Sequence, residues 1–153
     1  MKVPIRIKHR TKEFNHFQTY CINKMSQNPK INYLLFCDHA SVTMEGKLNI
    51  MGIFNSFLMK SVPAVQSQFH IVADMLIPNS ISEMTFILAQ KGKIIGTSNI
   101  KRPGGNIKEN HTHIWRVKNL KIATWDHIEL ILLLNKTPVF KKILILEKTE
   151  SGS

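Results

Sequence analysis

Several groupings of residues in this 153-residue chain have the types and spacing that chemistry needs. Asp38 and His39 are neighbours, and an acid beside an imidazole suggests a proton relay. On an extended strand, however, neighbouring side chains point to opposite faces, so these two cannot form a dyad with each other. Cys37, His39 and Ser41 do share a face, and a thiol with an imidazole is the pairing of an activated nucleophile. Side chains two apart on a strand run parallel, which does not favour a hydrogen bond between them. No oxyanion-hole loop is recognisable nearby. His111 and His113 form His-x-His, two imidazoles able to grip one metal ion if His127, Asp126 or Glu109 adds a third ligand. Simple exposure on a β edge accounts for the same pair. "IKRPGGNIK" (residues 100–108) sets Lys101, Arg102 and Lys108 around Gly104 and Gly105, whose backbone N–H groups could face an anion. It lacks the Gly-x-x-x-x-Gly-Lys-Ser/Thr spacing of a nucleotide-phosphate loop, and a solvated loop also accounts for it. The three aspartates, Asp38, Asp74 and Asp126, are too scattered for a calcium loop.

The elements that must carry these residues are strands. "YLLFCDHASVT" (residues 33–43) is rich in β-formers, "MEGK" turns the chain at Gly46, and "LNIMGIFNSFLMK" (residues 48–60) returns. In the returning strand Leu48, Ile50, Gly52 and Phe54 alternate with Asn49, Met51 and Ile53, and Pro63 ends the run. Gly46 and Lys47 serve the turn, and Gly52 inside a strand marks a bulge or the close approach of another group. "FHIVADMLI" (residues 69–77), "MTFILAQ" (84–90), "KIIGTSNI" (93–100), "HTHIWRVKNLKI" (111–122), "HIELILLL" (127–134) and "VFKKILIL" (139–146) complete a set of eight runs. Lys91-Gly92 joins the fourth and fifth of them as a two-residue hairpin. Residues 61–68 have room for a helical turn at most. Turn signals recur roughly every 8–14 residues with no long amphipathic helix, which predicts an all-β antiparallel β-sandwich of about seven to eight strands.

Composition narrows the partners. Apolar residues make up 43% of the chain, and none of its apolar runs is long enough for a membrane-spanning helix. The formal net charge is +11, from 21 Lys and Arg against 10 Asp and Glu. Residues 1–24 carry six basic side chains and one acid, so much of the excess sits in an arm. That arm and the loop at residues 101–108 make nucleic acid or an anionic surface an expected class of partner. Cys21 and Cys37 are the sole cysteines and form no Cys-x-x-Cys pair; a reducing cytoplasm is the expected setting. The basic arm lacks the apolar core of a secretory signal. The expected organisation is a basic extension over residues 1–30, a sandwich over 31–148 and a short tail over 149–153. Unpaired sandwich edges make a homodimer a further expectation.

"FCDHASVTMEGKLNIMGIFNSFLMKSVPAV" resembles the opening of a family of small uncharacterised bacterial all-β proteins. Asp38 and Ala40 match its first strand, and Gly46, Lys47, Leu48, Ile50, Gly52, Phe54 and Pro63 match the family's next segment. Cys37 stands where the family usually has Ala. The resemblance spans roughly residues 31–147. It implies an all-β fold and supplies no activity; the motif residues Asp38, Gly46, Lys47 and Gly52 are themselves expected to be structural. With no catalytic constellation and no cofactor motif, the expectation is a non-enzymatic module that binds or scaffolds. A nucleic-acid binder and a metal-dependent enzyme centred on His111 and His113 are the alternatives.

Overall fold

Side chains that alternate at a period of two bury one face of each strand, and here that pattern resolves into nine strands. The computed structural model describes residues 29–101 and 110–150. Within them lie β1 (Lys30–Val42), β2 (Leu48–Phe54), β3 (Ser56–Met59), β4 (Ala64–Leu76), β5 (Glu83–Gln90), β6 (Lys93–Lys101), β7 (Asn110–Ile122), β8 (Ile128–Leu134) and β9 (Thr137–Lys148). A four-stranded sheet runs in the order β2-β1-β4-β7, and a five-stranded sheet in the order β3-β9-β8-β5-β6. Their inner faces meet in one core. Phe36, Phe69, Ile71 and Met75 come from the first sheet and Met84, Phe86, Leu88, Leu130, Leu132 and Leu144 from the second, all fully buried. Each such side chain contributes about 1.5–3 kcal/mol of burial. The architecture is the all-β sandwich expected from the period. Among the described residues it has nine strands rather than seven to eight, and one of its pairings is parallel.

Both differences come from one corner. Residues 48–60 do not form a single strand: β2 edges the four-stranded sheet, Asn55 turns the chain, and β3 joins the five-stranded sheet parallel to β9. Phe54 and Phe57 both face the core, although they are three residues apart. A straight strand would send them to opposite faces, so the chain bends between them. The rings of Phe54 and Phe57 lie 5.0 Å apart and those of Phe57 and Phe69 5.1 Å apart, which makes the corner an aromatic cluster. The other boundary that moves is the start of β4. It begins at Ala64, and residues 64–68 pair with the end of β7 instead of holding a helical turn. Gln66, Ser67 and Gln68 hide that strand because they are polar on both faces.

Turns and clamps complete the frame. Lys91 and Gly92 both have positive φ (50° and 72°), and so do Asn135 and Lys136 (46° and 66°), as two-residue hairpin loops require. The buried Gln90 side chain donates to the carbonyls of Thr124 (3.0 Å) and Asp126 (2.7 Å) and accepts from the Ala123 N–H (3.2 Å). It pins the β7–β8 connection to the end of β5. The Asn135 side-chain Oδ1 accepts from the N–H groups of Ser82 (2.9 Å) and Glu83 (3.1 Å), tying the β8–β9 turn to the start of β5.

Candidate functional site

The residues of the opening motif meet across β1 and β2. Cys37 pairs with Ile53 and His39 with Met51, which sets Asp38 opposite Gly52. Gly52 has φ +66°, and its bare α-carbon lies beneath the Asp38 side chain. A Cβ at position 52 would collide with that carboxylate, whose Cγ would be 2.7 Å away. Asp38 is exposed, so its carboxylate needs no buried donors. At the turn, Gly46 takes φ +79° and its N–H donates to the Thr43 carbonyl at 2.9 Å. The Lys47 N–H donates to Thr43 Oγ1 at 3.1 Å, while the Lys47 side chain is exposed. These four residues shape a hairpin.

Cys37 is fully buried against Ala40 and Val72 in a small apolar cluster apart from the main core, whereas His39 is exposed beside His70, which pairs with Arg116. His70 is 1% exposed even though it lies on an outer face. Its Nδ1–H donates to the Asp38 carbonyl at 3.1 Å, and its Nε2 accepts from Arg116 Nε at 3.4 Å. Both ring nitrogens are therefore engaged, which leaves His70 no lone pair for a proton transfer. The His39 ring meets His70 edge-on, with centroids 5.3 Å apart. Burial pushes the Cys37 thiol above its usual range, and the neighbouring Asp38 carboxylate adds to the shift. A raised thiol is a poor nucleophile. Cys37 is therefore packed as an apolar side chain, and His70 is committed to Asp38 and Arg116.

His111 and His113 lie on β7, an edge strand, but they turn inward and are not exposed as expected of an edge. Their register partners are Met75 and Ala73, on the core face of β4. His113 stacks on Phe86 of the opposite sheet at 5.0 Å, and the two imidazoles lie 6.4 Å apart at 18°. Burial, reinforced by the charge of neighbouring His111, lowers the His113 pKa to about 4. His127 and Asp126 sit at the far end of β7, where His127 Nε2 lies 3.4 Å from Glu129 Oε1. The fold separates them from the His111–His113 pair. Among the described residues no three His, Cys, Asp or Glu side chains converge as metal ligands. Lys101 is exposed at the end of β6; Arg102, Gly104, Gly105 and Lys108 lie outside the described residues.

The outer face of the five-stranded sheet carries several exposed apolar side chains. The outward positions of β8 are Glu129, Ile131 and Leu133, and those of β9 include Lys141, Ile143, Ile145 and Glu147. Ile143 is 47% exposed, Ile145 52%, Leu58 on β3 69% and Ile94 on β6 64%. Ile87 on β5 sits beside Ile131, and the Lys141–Glu129 pair lies among these apolar side chains, with Lys141 opposite Ile131 and Glu129 opposite Ile143. Lys141 Nζ lies 2.6 Å from Glu129 Oε1, and this bond, more than the partial burial that opposes it, holds the Glu129 carboxyl below its usual range.

Residues 32–141, from β1 into β9, match the family of unknown function DUF6941. The chain belongs to that family. No curated protein matches it. The matched stretch of the DUF6941 chain contains the Asp38–Gly52 contact and the whole of β8. The expectation of an uncharacterised all-β family therefore holds. Two features of this DUF6941 domain go beyond the motifs visible in its sequence. One is Gln90, whose three backbone partners are 33 to 36 residues away and leave no local trace. The other is the apolar outer band, whose signal is present but easily passed over: "IELILLL" is apolar at both parities, unlike a strand with one solvated face.

Proposed function

We propose that the protein is a non-enzymatic binding or scaffolding module that acts in the cytoplasm and engages another protein surface through the outer face of its five-stranded sheet. The supporting observation is the apolar band of Leu58, Ile94, Ile131, Ile143 and Ile145 on that face. A sandwich face that stays in water alternates polar outward, whereas one that is covered carries apolar side chains on both sides. A photo-crosslinking amino acid at position 143, compared with one at Ser41 on the other sheet, tests the reading in cells. Protein crosslinks from 143 and not from 41 are expected; equal yields would refute it.

The charge excess supports a second reading. Six basic side chains in residues 1–24, together with Lys101, Arg102 and Lys108, suit an anionic polymer. On this reading the chain binds mixed-sequence RNA or DNA at about 50 mM salt, and affinity falls by about 10³-fold or more at 200 mM. Absence of binding at the lower salt removes it.

A further inference from the structure

We propose that the outer face of the five-stranded sheet is the interface of a two-fold homodimer, with β9 of one copy lying antiparallel over β9 of the other. This rests on the reading of that face as the binding surface and names its occupant. Along β9 the outward side chains run Lys141, Ile143, Ile145, Glu147, and all four are exposed. A two-fold axis that crosses the strand at position 144, between the two sheets, reverses this order in the second copy. Ile143 then faces Ile145, and Lys141 faces Glu147, twice over. A cation and an anion flanking an apolar pair are self-complementary under that reversal. A parallel overlay would instead set lysine against lysine. Ile131 and Ile87 on one side of β9 and Leu58 on the other extend the apolar contact.

Electrostatics favours a second copy over an unrelated partner. At a net charge of +11, two copies repel over most of their surface. This face is different: Glu83, Glu129 and Glu147 stand there against Lys101 and Lys141. Two copies can approach here without like-charge cost, whereas an acidic protein would be drawn to the basic surface elsewhere. Lys141 is already fixed by Glu129 at 2.6 Å, so its ammonium is held on the face.

Sedimentation equilibrium on the full chain between about 1 and 100 µM tests the proposal, since specific sheet-face contacts of this kind give micromolar or tighter dimers. The parent protein is expected to dimerise. Glu147→Lys and Lys141→Glu each set like charges together twice and should raise Kd by about tenfold or more. The double variant Lys141→Glu with Glu147→Lys restores the opposite pairing and should recover most of the loss. Ile143→Lys should abolish the dimer without touching either charge or the core. Three results would overturn the proposal: a parent that is monomeric throughout, a dimer insensitive to Glu147→Lys and Ile143→Lys, or a folded double swap no tighter than the single variants. A monomeric parent that still crosslinks other proteins from position 143 removes the second copy and keeps the binding face. A monomeric parent without such crosslinks removes both.

Discussion

Gly52→Ala tests the close contact between Gly52 and Asp38 across β1 and β2. The backbone at Gly52 has φ +66°, a conformation that costs an L-residue about 1–2 kcal/mol. Alanine also restricts the unfolded chain, which offsets about 0.4–1 kcal/mol of that cost. The new Cβ would then run into the Asp38 carboxylate, which must rotate away from its present position. Forcing a side chain off its rotamer costs about 0.5–1.5 kcal/mol. The sum is about 0.5–3 kcal/mol, or a fall in Tm of roughly 4–8 °C for a loss of about 2 kcal/mol in a chain of this size. Asp38→Ala alone removes an exposed side chain and should stay within about 0.5 kcal/mol of the parent. The double variant is the decisive measurement. With no carboxylate to displace, it should be destabilised by about 1 kcal/mol less than the sum of the single changes. Urea denaturation of all four proteins supplies the cycle. Strict additivity would show that Asp38 is not the obstacle at Gly52, and an unperturbed Gly52→Ala would also discard the backbone argument.

Two further predictions concern buried polar groups. His113 should make stability depend on pH. Its folded pKa, about 4, lies below the ordinary histidine value of 6.5, so the unfolded chain binds more protons between those values. Stability is then full above pH 6.5 and falls as the pH drops toward 4, by about 2 kcal/mol once its partial exposure is discounted. His113→Phe should flatten this part of the profile relative to the parent, and an unchanged slope would count against the assignment. Gln90→Leu keeps the volume but leaves two carbonyls and one N–H of residues 123–126 without the amide that now pairs them. It should cost about 2–3 kcal/mol in urea denaturation, and a loss under about 0.5 kcal/mol would mean that water replaces the clamp.

The fold was legible where apolar residues alternate and one face is plainly polar. "FHIVADML" and "MTFILAQ" announce their buried faces, and Lys91-Gly92 announces its hairpin, because local backbone preferences and the core agree there. The start of β4 was hidden because Gln66 and Gln68, with Ser67 between them, put polar side chains on both faces. The division at Asn55 was readable in principle, since inward phenylalanines three apart cannot sit on one straight strand. The candidate site was less legible because its geometry is long-range. That Asp38 faces Gly52 depends on the hairpin register alone, whereas the engagement of both His70 nitrogens depends on which strand lies beside β1 and which beside β4.

The same distinction separates chemistry from scaffold among the polar residues. Asp38, His70, Gln90 and Asn135 have the donors and acceptors of catalytic groups, but in this fold each meets backbone: above Gly52, at the Asp38 carbonyl, across residues 123–126 and at the start of β5. A group whose hydrogen bonds hold two strands together is preorganised for that contact and has little freedom to exchange protons with a substrate. The apolar outer band is the opposite case. Isoleucines in water stabilise nothing within the monomer, and β8 is apolar at both parities although one core needs only one. Burial of that second face is the contribution the isolated chain cannot make for itself, and it is where its binding energy should be sought.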